Sequence, residues 1–199
     1  MKKSYFIPVV IALMLALVSL SVSTVYAGSP PPLGGVEKFK YKIGDKGPGG
    51  GFIFFVDYYD QYPDFTYLEA APNDIAPVIW CDLTTTSIHE VEGWSAKGVG
   101  KGQANTNAMI AAGCTSGAAN SADQYVTATK SDWFLPSLGE AKLMNDNLLE
   151  AGVGDFVNFY YWSSSEYDGS LAWSQNVSND YQVNGIKNFA EPVRAIRAF

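Results

Sequence analysis

Residues 160–199 decide the fold class of this chain. They read YYWSSSEYDGSLAWSQNVSNDYQVNGIKNFAEPVRAIRAF. Short segments of aromatic and polar residues are separated at Gly169 and Gly185, a pattern typical of strands joined by polar turns. Residues 193–199 then alternate apolar and basic side chains, which predicts a final strand. The sequence therefore predicts several adjacent strands in this part of the chain.

The same stretch has the composition of a recognition surface. Aromatic rings give contact area, and small polar groups give adaptable hydrogen bonds. A sugar stacks its apolar face on such rings, while amides and carboxylates satisfy its hydroxyl groups. Trp162 is more typical of a core residue, whereas Trp173 fits either role. We predict a site for carbohydrate or another surface ligand, formed by Tyr167, Asp168, Trp173, Gln175, Asn176, Asn179, Asp180, Tyr181, Gln182 and Asn184.

Further strands are predicted before this stretch. Phe52–Val56 is a continuous apolar run of strand length, and Tyr67–Ala70 has the pattern of its partner. Residues 37–43 alternate polar and apolar side chains as an edge strand does, and residues 77–81 add a short strand. The glycine-rich segment 44–51 is expected to be a tight turn. A phosphate-binding loop would need a following Gly-Lys-Ser/Thr, which is absent from the sequence.

Three helices are predicted in the middle of the chain. Residues 103–112 and 117–125 are rich in alanine and suit short helices. The third helix has the clearest signals, because Ser137 and Glu140 form a Ser-x-x-Glu capping box and Gly152 is placed to end it. Residues 84–98 are expected to be a loop. Together these elements predict an α+β domain with a mixed, mostly antiparallel sheet and two or three short helices.

The beginning of the chain predicts export. Lys2 and Lys3 precede an apolar run over residues 7–20, and small residues follow at the positions that a signal peptidase reads. We expect a signal peptide over residues 1–27, a Pro/Gly-rich tether over 28–36 and one domain over 37–199. An uncleaved anchor is the alternative, but a spanning helix needs about 20 apolar residues. The predicted location is periplasmic, secreted or on the cell surface, with no membrane span after cleavage.

Cysteine content and charge narrow the class of protein. Cys81 and Cys114 are predicted to form a disulfide, which suits an oxidising compartment and would stabilise the fold by about 3–4 kcal/mol. Two buried free thiols are the alternative. One histidine and two cysteines supply no metal-ligand set. The formal net charge of −7 gives no electrostatic footprint for nucleic acid.

Several motifs together resemble a known family. In order they are YKIGD (41–45), GPGGG (47–51), YLEAAP (67–72), GKGQANT (100–106), SDWFLPS (131–137), YWSSSE (161–166) and VRAIR (193–197). Their order and spacing resemble the Lcl C-terminal domain family, the distal domain of a bacterial collagen-like adhesin. The resemblance implies a C-type-lectin-like fold whose C-terminal strands and turns display the ligand surface.

This chain differs from that family in two respects. The adhesin for which the family is named is a trimer and binds sulfated glycans. No collagen-like stalk is present in this sequence, which argues against the trimer. The acidic charge argues against sulfated glycans, because each sulfate needs an arginine or lysine partner. The resemblance also extends to variable proteins, so a diversified segment over residues 167–188 is a further hypothesis.

Catalysis is the least favoured function. The one histidine, His89, lies far in sequence from the serines at 163–165 and is expected on the surface. Glu166 and Asp168 form the one pair that resembles the carboxylates of a glycosidase. We therefore predict a non-catalytic, adhesin-like module without a required cofactor. Its partner is a glycan or a surface protein, and the alternative function is protein–protein interaction or a structural envelope role.

Two further hypotheses concern charged side chains. Asp168, Asn179 and Asp180 carry oxygen ligands that Ca²⁺ prefers, although no EF-hand-type loop surrounds them. Arg194 and Arg197 lie within the predicted last strand. They are expected to pair with carboxylates such as Asp132 or Glu166 rather than to contact a ligand.

Overall fold

The computed structural model describes residues 39–157 and 159–199. The expected signal peptide and tether lie outside the described residues, as do the first two residues of the expected domain. The described part is an α+β fold in which every paired strand is antiparallel to its neighbour. This confirms the predicted fold class at the level of α+β architecture.

Three small sheets and three α-helices make up most of the described fold. The strands are β1 Phe52–Val56, β2 Tyr67–Ala70, β3 Ile75–Val78, β4 Tyr160–Glu166, β5 Leu171–Asn176, β6 Gln182–Ile186, β7 Glu191–Val193 and β8 Ile196–Ala198. The helices are α1 Gly102–Ala111, α2 Ala118–Asp123 and α3 Leu138–Glu150. Strand order is β1-β2-β8 in the first sheet, β3-β7 in the second and β4-β5-β6 in the third.

The predicted last strand is divided between two sheets. β7 pairs with β3, whereas β8 pairs with β2, and Arg194 and Ala195 lie between them. Both arginines of this segment are buried, and each forms a salt bridge with a different carboxylate, Arg194 with Asp74 and Arg197 with Glu69. Arg197 pairs with Asp132, as expected, while Arg194 pairs with Asp74 rather than with Asp132 or Glu166. The structural role predicted for both arginines is therefore confirmed.

Two strand predictions need correction. Residues 39–43 form no strand; Phe39, Tyr41 and Ile43 instead pack on the apolar face formed by β1 and Tyr67. The short strand expected at 77–81 lies earlier, at Ile75–Val78. Pro77 is tolerated there because β3 is an edge strand of a two-stranded sheet. Cys81 makes only an isolated bridge with Gly117. The expected loop at 84–98 contains two single-turn 3₁₀ helices, His89–Val91 and Ser95–Lys97.

The glycine-rich turn before β1 binds a carboxylate of the protein itself. Gly49 N–H donates to both oxygens of Glu69 at 3.0 Å, and Gly51 N–H donates to Oε1 at 2.8 Å. A side chain at Gly51 would overlap the Ala70 carbonyl. The turn predicted over 44–51 is present, with its tightest part at 47–51, and its N–H groups bind an internal carboxylate instead of a phosphate.

Helix α3 begins with the predicted capping box. Ser137 Oγ accepts a hydrogen bond from Glu140 N–H at 3.2 Å, and Glu140 Oε2 accepts from Ser137 N–H at 2.7 Å. The same carboxylate also accepts from Gly100 N–H at 2.7 Å and from Gly102 N–H at 3.1 Å. Glu140 therefore fixes the start of α3 and the start of α1 together.

Glu140 makes stability depend on pH. Burial raises its pKa from 4.5 to about 7, although the N–H donors oppose the shift. A raised pKa means that its contribution to stability is complete below pH 4.5 and is lost as the pH rises through about 7. We expect the unfolding free energy of the native protein to fall over this range relative to Glu140→Gln. Urea unfolding of both proteins at several pH values measures this difference, and identical slopes would contradict it.

The predicted disulfide is present. Cys81 and Cys114 are bonded, with a Cα–Cα distance of 5.5 Å. Both residues are buried in the largest core cluster beside Trp80 and Met109. The bond joins the segment after β3 to the segment after α1. No helix in the described ranges is long and apolar enough to cross a membrane.

Candidate functional site

The three consecutive serines of β4 are buried and connect the two elements that carry the candidate site. Ser163, Ser164 and Ser165 are fully buried. Ser165 Oγ donates to the Ala96 carbonyl at 3.0 Å, and Ser163 Oγ donates to the Trp173 carbonyl at 2.7 Å. Because Ala96 belongs to the second 3₁₀ helix and Trp173 to β5, the serines fix these two elements beside each other. In the described structure their hydroxyl groups serve these internal contacts.

A buried ion pair fixes the adjacent turns. Glu166 and Lys187 form a salt bridge and are both fully buried. Glu166 Oε2 also accepts from Ile88 N–H at 2.8 Å, and Lys187 Nζ donates to the Gly169 carbonyl at 3.0 Å. Burial raises the pKa of Glu166, while its lysine partner opposes that shift. Since Glu166 is enclosed and already paired, it does not form an accessible catalytic pair with Asp168.

Four side chains form what we name the aromatic surface: Trp94, Lys97, Tyr167 and Trp173. Lys97 Nζ lies 4.8 Å from the Trp94 ring centre and 4.0 Å from that of Trp173. The Tyr167 and Trp173 rings meet edge to face at 5.3 Å. Trp94 is 88% exposed and Tyr167 is 48% exposed. Two indole rings thus flank one ammonium group, and a phenol ring packs against the second indole.

The aromatic surface is held in place by its own contacts. Lys97 interacts with two indole faces, a favourable cation–π arrangement, and partial burial lowers the pKa of its ammonium group. Trp173 is half-buried and lies opposite Asn184 in the β5–β6 pairing. Residues that pair across neighbouring strands share a sheet face, so the exposed Asn184 lies on the face that carries Trp173.

The predicted ligand residues separate into groups. Tyr167, Trp173 and Asn184 are at or beside the aromatic surface. A second group lies in the β5–β6 turn and at the start of β6, beyond the end of β5 that is farther from Tyr167. These residues are exposed: Asn179, Asp180, Tyr181 and Gln182. Asp180 Oδ2 forms a salt bridge with Lys142 Nζ at 2.7 Å, which connects this turn to helix α3.

Three predicted contacts have structural roles instead. Gln175 and Asn176 are 1% and 5% exposed, so the expectation that they face outward is wrong. Asn176 Oδ1 accepts from Ser178 N–H at 2.8 Å and shapes the turn after β5. Asp168 Oδ1 accepts from Ser170 N–H at 2.8 Å in the turn before β5. Short polar side chains beside turns commonly satisfy the local backbone in this way.

The calcium hypothesis is also wrong in its choice of ligands. Asp168 lies before β5, whereas Asn179 and Asp180 lie after it, so one ion cannot bind all three. Asp180 is in addition bound to Lys142. In the part of the chain that the structure describes, the one group of His, Cys, Asp or Glu side chains with metal-like spacing contains Cys81 and Cys114. Their sulfur atoms form the disulfide.

Sequence reasoning missed Trp94 and Lys97. Both lie in the segment expected to be a plain loop, and no periodic pattern links them to Trp173. A tryptophan between glycine and serine in a polar segment is the available signal, because such a ring has few neighbours to bury it. His89 in the same segment is exposed, as expected, and contacts Glu92 at 3.1 Å. Trp162 is fully buried, which confirms its assignment to the core.

The fold is similar to that of a fimbrial protein of known structure. No protein-family model and no curated protein sequence matches the chain. Among solved structures, a fimbrial protein from Bacteroides ovatus ATCC 8483 is similar, with a TM-score of 0.58 and 14% identity over 80% of this chain. The matched region is 49% of that protein, so this chain spans about half its length. At this identity the likeness concerns the fold.

Proposed function

We propose that the protein is an exported, non-catalytic module that binds carbohydrate through the aromatic surface. In this proposal the domain belongs with the Lcl C-terminal domains and their C-type-lectin-like fold. The disulfide supports an oxidising location. The fold likeness to a fimbrial protein is consistent with a role at the cell surface.

Trp94 is the observation on which the proposal rests. It is 88% exposed, and burying an aromatic side chain of this kind is worth about 1.5–3 kcal/mol. A pyranose ring has an apolar face that suits the indole. The side chains of Tyr167 and Asn184 are exposed nearby and offer a hydroxyl and an amide to sugar hydroxyl groups. Lys97 adds a donor with no acceptor capacity.

Replacing Trp94 with alanine is expected to weaken glycan binding about tenfold or more. The loss follows from the apolar contact, because each 1.4 kcal/mol changes affinity by about tenfold. Folding should be unaffected, since the ring is largely solvated and packs mainly on Lys97. A glycan array on the purified exported protein, followed by titration with the best glycan, measures the change.

Tyr59→Ala is the matched control. It removes a ring that is 58% exposed and lies outside the aromatic surface. We expect its binding to equal that of the native protein. Equal binding of a glycan to the native protein and to Trp94→Ala would show that the binding site lies outside the aromatic surface. An array without any bound glycan would reject the carbohydrate proposal as a whole.

Protein–protein interaction is the second candidate function. The fold likeness to a fimbrial protein favours it, and an exposed aromatic surface suits a protein partner equally well. Capture of one defined surface protein by the native protein, lost in Trp94→Ala and accompanied by a silent glycan array, would favour this candidate. Binding of several glycans with no protein captured would favour carbohydrate recognition.

A further inference from the structure

A cavity of about 370 Å³ lies between helix α1 and the β2 and β8 strands. Pockets of roughly 300–1,000 Å³ are typical of small-molecule sites. The apolar part of its lining comes from Phe65, Leu68, Phe134 and Ala198. None of the four residues of the aromatic surface lines this cavity, so the two features are separate.

Every ionisable side chain that lines the cavity is acidic. These side chains are Asp64, Asp132 and Glu140. Asp132 is engaged by Arg197, with Nε–Oδ1 at 2.9 Å and Nη2–Oδ2 at 2.7 Å, and Glu140 is engaged by backbone N–H groups. Asp64 is exposed and makes no hydrogen bond or ion pair within the described ranges. Its carboxylate is therefore available to a ligand.

Two side-chain amides line the same cavity as the Asp64 carboxylate. Gln103 and Asn107 lie one turn apart on α1, and Gln103 Nε2 donates to Asn107 Oδ1 at 3.1 Å. This bond orients both groups and leaves the Gln103 carbonyl oxygen and the Asn107 amino group unused. Because both residues are exposed, these polar atoms can be reached from solvent.

We propose that this cavity binds a small organic cation, a protonated primary amine with an apolar body. The ammonium group contacts Asp64 and the Gln103 carbonyl oxygen, and the apolar body packs on Phe65 and Phe134. A free amine and the lysine side chain of a partner protein share this chemistry. An anionic ligand is disfavoured, because the lining residues carry no positive side chain to receive it.

NMR titration of the ¹⁵N-labelled protein with benzylamine tests the proposal. We expect saturable shifts of the Gln103 and Asn107 side-chain amides and of Gly100 N–H. Benzyl alcohol, which has the same ring without the charge, and phenylacetate should bind more weakly. Nα-acetyl-lysine methylamide distinguishes the sources, because tighter binding of this probe than of benzylamine would indicate a protein lysine as the natural ligand.

Two variants make the outcome decisive. Asp64→Asn is expected to weaken benzylamine binding about fivefold, the value of one exposed charge pair. Asp123→Asn, an exposed carboxylate that does not line the cavity, should leave it unchanged. Ala104→Phe should fill the cavity and abolish binding while Asp64 remains. Equal binding of phenylacetate, no effect of Asp64→Asn, or no binding of either amine would overturn the proposal.

Discussion

Replacing Glu69 with glutamine is expected to lower the free energy of unfolding by about 3–5 kcal/mol. Glu69 is fully buried and is the anion around which the glycine-rich turn closes. Its Oε2 also accepts from Arg197 Nη1 at 3.2 Å. A glutamine amide would turn an N–H₂ group toward Gly49 or Gly51, so a backbone donor would lose its acceptor. Arg197 would keep only its exposed partner, Asp132.

Chemical unfolding of Glu69→Gln and of Glu90→Gln measures this effect. Glu90 is exposed, so the control makes the same chemical change without removing a buried charge. We expect the control to lie within about 0.5 kcal/mol of the native protein. A loss below about 1 kcal/mol for Glu69→Gln would show that the turn keeps its shape without the carboxylate.

Replacing Lys187 with methionine is expected to cost a similar amount, about 3–5 kcal/mol near neutral pH. The substitution keeps most of the side-chain volume but leaves the Glu166 carboxylate buried without its cation. Burial already raises the pKa of Glu166, and loss of the lysine raises it further. Because protonation removes the unpaired charge, the deficit should shrink as the pH is lowered.

A double-mutant cycle separates the pair from the packing around it. Glu166→Gln combined with Lys187→Met removes both charges and should recover part of the loss. Lys142→Met is the matched control, because Lys142 pairs with Asp146 and Asp180 at the surface and should cost about 0–1 kcal/mol. A buried pair that behaves like this surface pair, or a deficit that does not change with pH, would contradict the prediction.

Local signals predicted the elements that depend on neighbouring residues. Helix α3 was found from Ser137 and Glu140, because a capping box works over one turn of chain. The apolar run predicts β1, because a strand of five consecutive apolar residues is expected to be buried on both faces. The disulfide followed from cysteine number and the expected compartment. The prediction of an edge strand at 37–43 is wrong for residues 39–43. Alternating polar and apolar side chains indicate two faces of a segment, but they do not indicate a strand with which it can pair.

The candidate site depended on contacts that sequence patterns do not reveal. Trp94 and Trp173 meet at Lys97 only because the buried serines of β4 bring a 3₁₀ helix beside β5. Residue type alone places Gln175 and Asn176 on the ligand surface, but both lie at the end of β5 where the strand is buried. A residue type states which bonds a side chain can form, but the fold decides which partner is within reach.

The sequence by itself determined the α+β class, the start of α3, the buried β1 strand and the disulfide, because each depends on composition or on contacts within a few residues. Only the tertiary structure decided which carboxylate each buried cation meets and which aromatic rings reach the surface. Glu69 and Arg197 are separated by 128 residues, and Glu166 and Lys187 by 21. The physical reason is that burying a charge is costly unless a partner lies within hydrogen-bond distance, and chain topology alone sets that distance.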